Sequence, residues 1–275
     1  MQSDGAGQAA TPPTPATRPQ VVAHRGASAD NAEHTLGAYV AALAAGAEAL
    51  ECDVRLTADG HLVCVHDRKL RRTASRRGVV STMELAELAE LDFATWKNLW
   101  SDLDDEAPER DEEHDRVLTL RRLCEVAADH DRRVELAIET KHPTRYSGLV
   151  ERRVVETLRH FGWDRAGSPA RVMSFSFTAL QRVERLAPGV PLVMLLERAQ
   201  YWPALRRMIG PDWLVGPGVE ELAEHPSLGP RITRAGHGMH VWTVNTREQL
   251  DLCLELGVRA VITDRPAYVL EQLGA

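Results

Sequence analysis

One stretch of the chain gathers groups suited to chemistry: Leu50-Glu51-Cys52-Asp53-Val54. Side chains alternate across a strand, so Glu51 and Asp53 share one face while Leu50, Cys52 and Val54 share the other. The apolar trio suits the side that a barrel strand turns to its helices, which sends both carboxylates into the lumen. Two like charges buried together are costly unless a cation lies between them. Mg2+ and Ca2+ take oxygen ligands of this kind. Ion pairs to Arg25 or Arg55 would satisfy the same two acids, and this strand alone leaves both readings open.

A second strand ends Glu139-Thr140-Lys141, where Glu139 and Lys141 share the lumen-facing side. Three carboxylates then make half a shell for one divalent cation. Lys141 suits an anionic ligand bound to that ion. The first apolar strand ends His24-Arg25-Gly26. Arg25 offers a fork for phosphate oxygens, and Gly26 permits a tight exit. A hairpin ends His66-Asp67, bringing a second imidazole near the first. Two histidines can divide acid and base roles near neutral pH. The other nine histidines, His34, His142 and His240 among them, are read as structural or surface. In Val241-Trp242-Thr243-Val244-Asn245, alternation puts Trp242 and Val244 on one face. Trp242 either walls the pocket or fills a barrel layer, and Phe175 has the same two readings.

Positioning these groups takes many strands. Short β-branched runs predict strands at 21–24, 50–54, 134–140, 172–176, 192–197, 213–216, 241–245 and 260–264. Helical patterns lie between most of them, at 35–45, 120–130, 149–161, 179–186 and 248–256, and apolar Leu149, Val150, Val154, Leu158 and Phe161 mark one buried face. Eight strand–helix units predict a TIM (β/α)8 barrel, with a doubly wound open sheet as the fallback. After the second strand, Thr57-Ala58-Asp59-Gly60 signals a hairpin. Residues 68–116 then form a long charged insertion, with a helix expected at 83–91, on a loop of the kind that builds active sites.

With 275 residues, 44% hydrophobic and 27% charged, the chain can bury a sizeable core, which excludes global disorder. Residues 1–20, with four prolines, read as a disordered leader, and residues 21–275 as the barrel. No secretory signal is read in the leader, so a cytoplasmic location is expected. No apolar run is long enough for a membrane span. Four dispersed cysteines argue against a disulfide scaffold. The net charge of −7 is local: Asp102–Asp115 holds nine acids and one arginine. Nothing resembles a basic face for nucleic acid. The oligomeric state is not legible.

The ordered set His24-Arg25-Gly26, Glu33-His34-Thr35-Leu36, Glu51-Cys52-Asp53-Val54, His66-Asp67, Glu139-Thr140-Lys141, Trp242-Thr243-Val244-Asn245 and Thr263-Asp264-Arg265-Pro266 resembles the glycerophosphodiester phosphodiesterases over about residues 20–270. The resemblance implies a TIM barrel with an insertion after its second strand. It implies metal-dependent hydrolysis of small-molecule glycerophosphodiesters to an alcohol and glycerol 3-phosphate. It implies His24 and His66 as the acid–base pair, here assigned base and acid respectively. It implies Glu51, Asp53 and Glu139 as ligands of one divalent cation, Mg2+ or Ca2+, and Arg25 and Lys141 as phosphate-holding residues. One departure is visible: Ala32-Glu33-His34-Thr35 stands where the family has Pro-Glu-Asn-Thr. Thr35 is expected to cap the first helix, and the change is expected to touch no ligand. A lysophospholipase D or sphingomyelinase D-like phosphodiesterase shares the pattern. A non-catalytic phosphate-binding barrel is the remaining alternative.

Overall fold

The computed structural model describes residues 18–97 and 112–274. Most of the leader and most of the acidic run lie outside the described residues. The strands are β1 (Gln20–His24), β2 (Ala49–Leu56), β3 (Leu62–Cys64), β4 (Glu135–Thr140), β5 (Ala170–Ser174), β6 (Leu192–Leu196), β7 (Leu214–Pro217), β8 (His240–Val241) and β9 (Ala260–Thr263). Eight of them pair in parallel in the order β7-β6-β5-β4-β2-β1-β9-β8. Two single parallel bridges, Val215 to Met239 and Gly218 to Trp242, connect the ends. The result is a nearly closed TIM barrel, as expected.

Alternation along the strands sorts the core into two layers. Val22, Ala49, Ala137, Met173, Val193, Leu195, Ala260 and Ile262 fill the lumen. Leu50, Cys52, Val54, Leu136 and Ile138 pack outward, with the buried faces of the helices. The expected stripe of helix Leu149–His160 is there: Val150, Val154 and Leu158 are buried. Thr35 caps helix Leu36–Ala44 by accepting from Ala38 N at 3.2 Å. Among the described residues, no helix is long and apolar enough to cross a membrane.

Two details differ from expectation. The seventh parallel strand is only His240–Val241, so alternation no longer governs the residues after it. Trp242 packs with the lumen cluster, whereas Val244 is buried in the outer layer, on a different face. The helix expected at 83–91 is shorter, Leu85–Ala89, after a 3-10 turn at Val80–Thr82.

The hairpin forms as expected, with β2 and β3 antiparallel and Arg55 opposite Val63. The segment beyond it packs a small core of its own: Val63, Val65, Leu70, Val80, Met83, Leu88 and Phe93. Arg72 ties this segment to the barrel. It donates to Glu33 twice, at 2.6 and 2.7 Å, and to Asp67 at 2.8 Å. Its guanidinium also lies 5.4 Å from the centre of the Trp96 ring.

Candidate active site

Strand register brings the chemical groups to one mouth. His24 is level with Glu51, and Asp53 is level with Glu139. These residues sit at the carboxyl ends of their strands, the end where barrels of this class build active sites. A cavity of about 450 Å3 opens there, lined by His24, Arg25, Glu51, His66, Glu139, Lys141 and Trp242. Asp53 lies just beneath, 1% exposed. The structure thus gathers all eight residues nominated by the sequence.

The loop after β1 turns back sharply to make room. Arg25 and Gly26 both have positive φ, at 59° and 88°. A Cβ on Gly26 would lie 2.6 Å from the backbone carbon of Ala38, so only glycine fits between the loop and the first helix. The Arg25 side chain then points at the acids. Its Nε is 3.1 Å from Asp53 and its Nη1 is 3.2 Å from Glu33. Its backbone N–H donates to Glu51 at 3.0 Å.

Glu51, Asp53 and Glu139 are all buried, and each offers an oxygen within 4.8 Å of the others. Lys141 lies 3.0 Å from Asp53 and 2.7 Å from Glu139. Burial, then the Asp53 charge, pushes Glu139 up to about 8. The same two causes raise Glu51 well above the usual carboxylate range. Burial would raise Asp53 too, but its hydrogen bond from His34 and the Lys141 and Arg25 cations hold it well below. Three hard oxygen donors crowded until two of them, Glu51 and Glu139, resist ionisation suit a divalent cation, which would supply the missing positive charge. This acidic group is able to bind a metal.

Each imidazole is steered by a carboxylate. His24 Nδ1 is 2.6 Å from Asp264, and His66 Nδ1 is 2.8 Å from Asp67. Asp264 is held in turn by Ser28, donating at 3.0 Å, and by Asn245 Nδ2, donating at 2.7 Å. Burial opposes ionisation of Asp264, yet the His24 interaction and these donors lower it to about 2. Asp67 is likewise lowered to about 2: burial opposes, and Arg72 and His66 prevail. His66 itself lies below its ordinary value, because burial penalises its cation.

Sequence reasoning missed three supports. Asp264 and Asn245 stand in recognisable motifs but carry no role there, and Arg72 stands in none. The expectation for His34 needs correction. It is not remote from the ligands: its Nε2 is 3.0 Å from Asp53 and its Nδ1 is 2.9 Å from the Tyr39 hydroxyl. Its φ of 63° aims the ring inward, where it is 5% exposed. Trp242 does both things left open for it, packing on the lumen layer and walling the cavity edge-on to Phe175, ring centres 5.7 Å apart.

A barrel whose mouth sets two carboxylate-steered imidazoles and two cations over a buried acidic cluster defines an enzyme of the phosphoric diester hydrolase class. The profile of the Glycerophosphoryl diester phosphodiesterase family matches residues 24–268, and the chain belongs to that family. A Mycobacterium tuberculosis protein named "Probable glycerophosphodiester phosphodiesterase 1" is 43% identical over 255 residues, 91% of each chain. A glycerophosphodiester phosphodiesterase of Bacillus subtilis is 32% identical over 249 residues, covering 89% of this chain and 83% of that one. Among solved structures, a phosphodiesterase of Oleispira antarctica, in complex with its product sn-glycerol-3-phosphate, superposes with a TM-score of 0.76 at 24% identity, covering 94% of this chain and 97% of that one. A glycerophosphodiester phosphodiesterase of Agrobacterium tumefaciens gives 0.70 at 25% identity, covering 91% and 98%.

Proposed function

We propose that the chain hydrolyses glycerophosphodiesters to an alcohol and sn-glycerol 3-phosphate, with His24 as base and His66 as acid. The observation that carries this reading is the pair of carboxylate-bound Nδ1 atoms. A carboxylate at Nδ1 accepts that ring's N–H and leaves Nε2 facing the substrate: neutral His24 has its lone pair there, ready to take a proton, and protonated His66 has a proton there to give. Asp264 stays anionic and stabilises the imidazolium that forms on His24. The nucleophile, water or the glycerol 2-hydroxyl, forms the new bond to phosphorus and gives its proton to His24; by the second route a cyclic phosphodiester forms, which water then opens to glycerol 3-phosphate. The bond from phosphorus to the alcohol oxygen breaks, and His66, entering as the imidazolium with its Nδ1–H on Asp67, gives its Nε2 proton to that oxygen. Arg25 and Lys141 hold the non-bridging oxygens, on which negative charge grows. Glu51, Asp53 and Glu139 would hold one Mg2+ or Ca2+, whose chemistry is Lewis-acid polarisation of the phosphate. Trp242 packs against the substrate's apolar surface.

The roles separate by leaving group. His24→Ala and His66→Ala are each expected to lose roughly two to four orders of magnitude in kcat on glycerophosphocholine, with divalent-ion binding retained. A nitrophenyl leaving group needs no proton, so it is expected to restore His66→Ala alone. Rescue of His24→Ala instead would reverse the two roles, and full activity in either variant on glycerophosphocholine would end the acid–base reading.

A further inference from the structure

Lys141 separates two cavities. One is the active-site mouth. The other, about 250 Å3, shares Lys141 with it and is lined also by Arg55, Arg68, Ser81, Thr144 and Arg145. Among the described residues, no carboxylate lines it.

The fold builds this concentration of charge. Arg55 lies two residues beyond Asp53 on the same face of β2, just past the last β2–β4 pair, Val54 with Thr140, and Lys141 follows Thr140. Its Nε donates to the carbonyl of His66 at 2.9 Å, which fixes the guanidinium at the rim. The bridge between Lys69 and Val79 anchors the backbone beside Arg68. Arg145 lies over the Tyr146 ring at 5.4 Å and donates to Ser81 O at 3.4 Å. Arg55, Arg68 and Arg145 form no ion pair among the described residues. Cations gathered around a cavity that no carboxylate lines repel one another, and an anion in their midst would relieve that repulsion. Arginine forks match phosphate oxygens, and a cationic head group would meet like charge there.

We propose that this basic cavity is a second phosphate subsite, and that the preferred substrate is a glycerophosphodiester whose alcohol carries a further phosphate. The proposal rests on the catalytic reading above and adds the substrate class. With the scissile phosphate between Arg25 and Lys141, the second phosphate lies beyond Lys141, among Arg55, Arg68 and Arg145. Choline and ethanolamine diesters are then poor substrates by charge.

The full chain with its divalent ion is assayed on glycerophosphocholine, on glycerophosphoglycerol, and on glycerophosphoglycerol bearing a phosphate on its terminal hydroxyl. The phosphorylated diester is expected to have the highest kcat/KM, by about tenfold or more over glycerophosphoglycerol, the equivalent of one good charge-assisted contact. Arg68→Gln and Arg145→Gln are each expected to lose most of that preference through KM, with turnover of glycerophosphoglycerol unchanged. Equal kcat/KM for all three diesters overturns the subsite. So does a loss in Arg68→Gln that is as large on glycerophosphoglycerol as on its phosphorylated form. If none of the three is hydrolysed, the catalytic reading fails, and calorimetric titration of the two glycerol diesters still decides the subsite. Tighter binding of the phosphorylated one, abolished by Arg68→Gln, upholds it, and equal affinities reject it.

Discussion

A histidine becomes a directional proton carrier when something fixes which nitrogen holds the proton. Asp264 does this for His24, and its own two oxygens are pinned by Ser28 and Asn245. Replacing Asp264 by Asn keeps the size but removes the charge that stabilises the imidazolium. Asp264→Asn is expected to lower kcat by about two to four orders of magnitude, with KM little changed in steady-state assays. The same variant tests the electrostatics. Asp264 is held at about 2, below its unfolded value, so the folded chain favours the carboxylate. That stabilisation is complete above about pH 4 and is lost as the pH falls towards about 2. The urea midpoint of Asp264→Asn is therefore expected to fall less than the parent's across that window. A parallel fall in both proteins would show that Asp264 carries no such linkage. His24 was legible because it ends an apolar strand. Asp264's role was not, because it depends on β9 lying beside β1, a contact between residues 240 apart in sequence. The same holds for His34. Its type suggested nothing until a left-handed backbone turned it onto Asp53.

At the level of elements, the barrel strands could be read from their apolar runs, because alternation is local chemistry. The segment after the hairpin could be recognised as an excursion, but not how it is held. Its hold is long-range: Arg72 bridges Glu33 on the β1 loop, Asp67 beside His66, and the face of Trp96. One guanidinium thus orients the carboxylate that orients His66. The Asp67 carboxylate also depends on it for much of its low value. Arg72→Ala is expected to loosen this segment without unfolding the barrel, since the lumen and outer layers do not contain it. Limited proteolysis should then cut faster within residues 68–97, and kcat should fall about tenfold to a hundredfold as His66 loses its alignment. Parent-like cleavage together with parent-like turnover would leave Arg72 as an ordinary surface ion pair.

For the molecule as a whole, the acidic cluster is a local instability that the fold tolerates. Lys141 and Arg25 offset part of the repulsion, yet Glu51 and Glu139 remain raised. An ion bound there stabilises the folded chain and not the unfolded one, because the three carboxylates come from β2 and β4 and converge only after folding. At a hundred times its dissociation constant such an ion contributes about 2.7 kcal/mol. For a chain near this size that corresponds to roughly 5–10 °C in melting temperature. Thermal unfolding in chelator, then in excess Mg2+ or Ca2+, is expected to show that rise, and the ion needing the lower concentration is the better fit. Glu139→Gln, short of one anionic ligand, should show little rise. His34→Ala should need about 10–100 times more ion for the same rise, since a group that orients a ligand typically matters by that factor. These readouts are independent of turnover. If the parent melts at the same temperature with and without either ion, the cluster is not a metal site. Arg25, one of the two counter-charges the sequence offered for Glu51 and Asp53, would then hold the cluster together with Lys141.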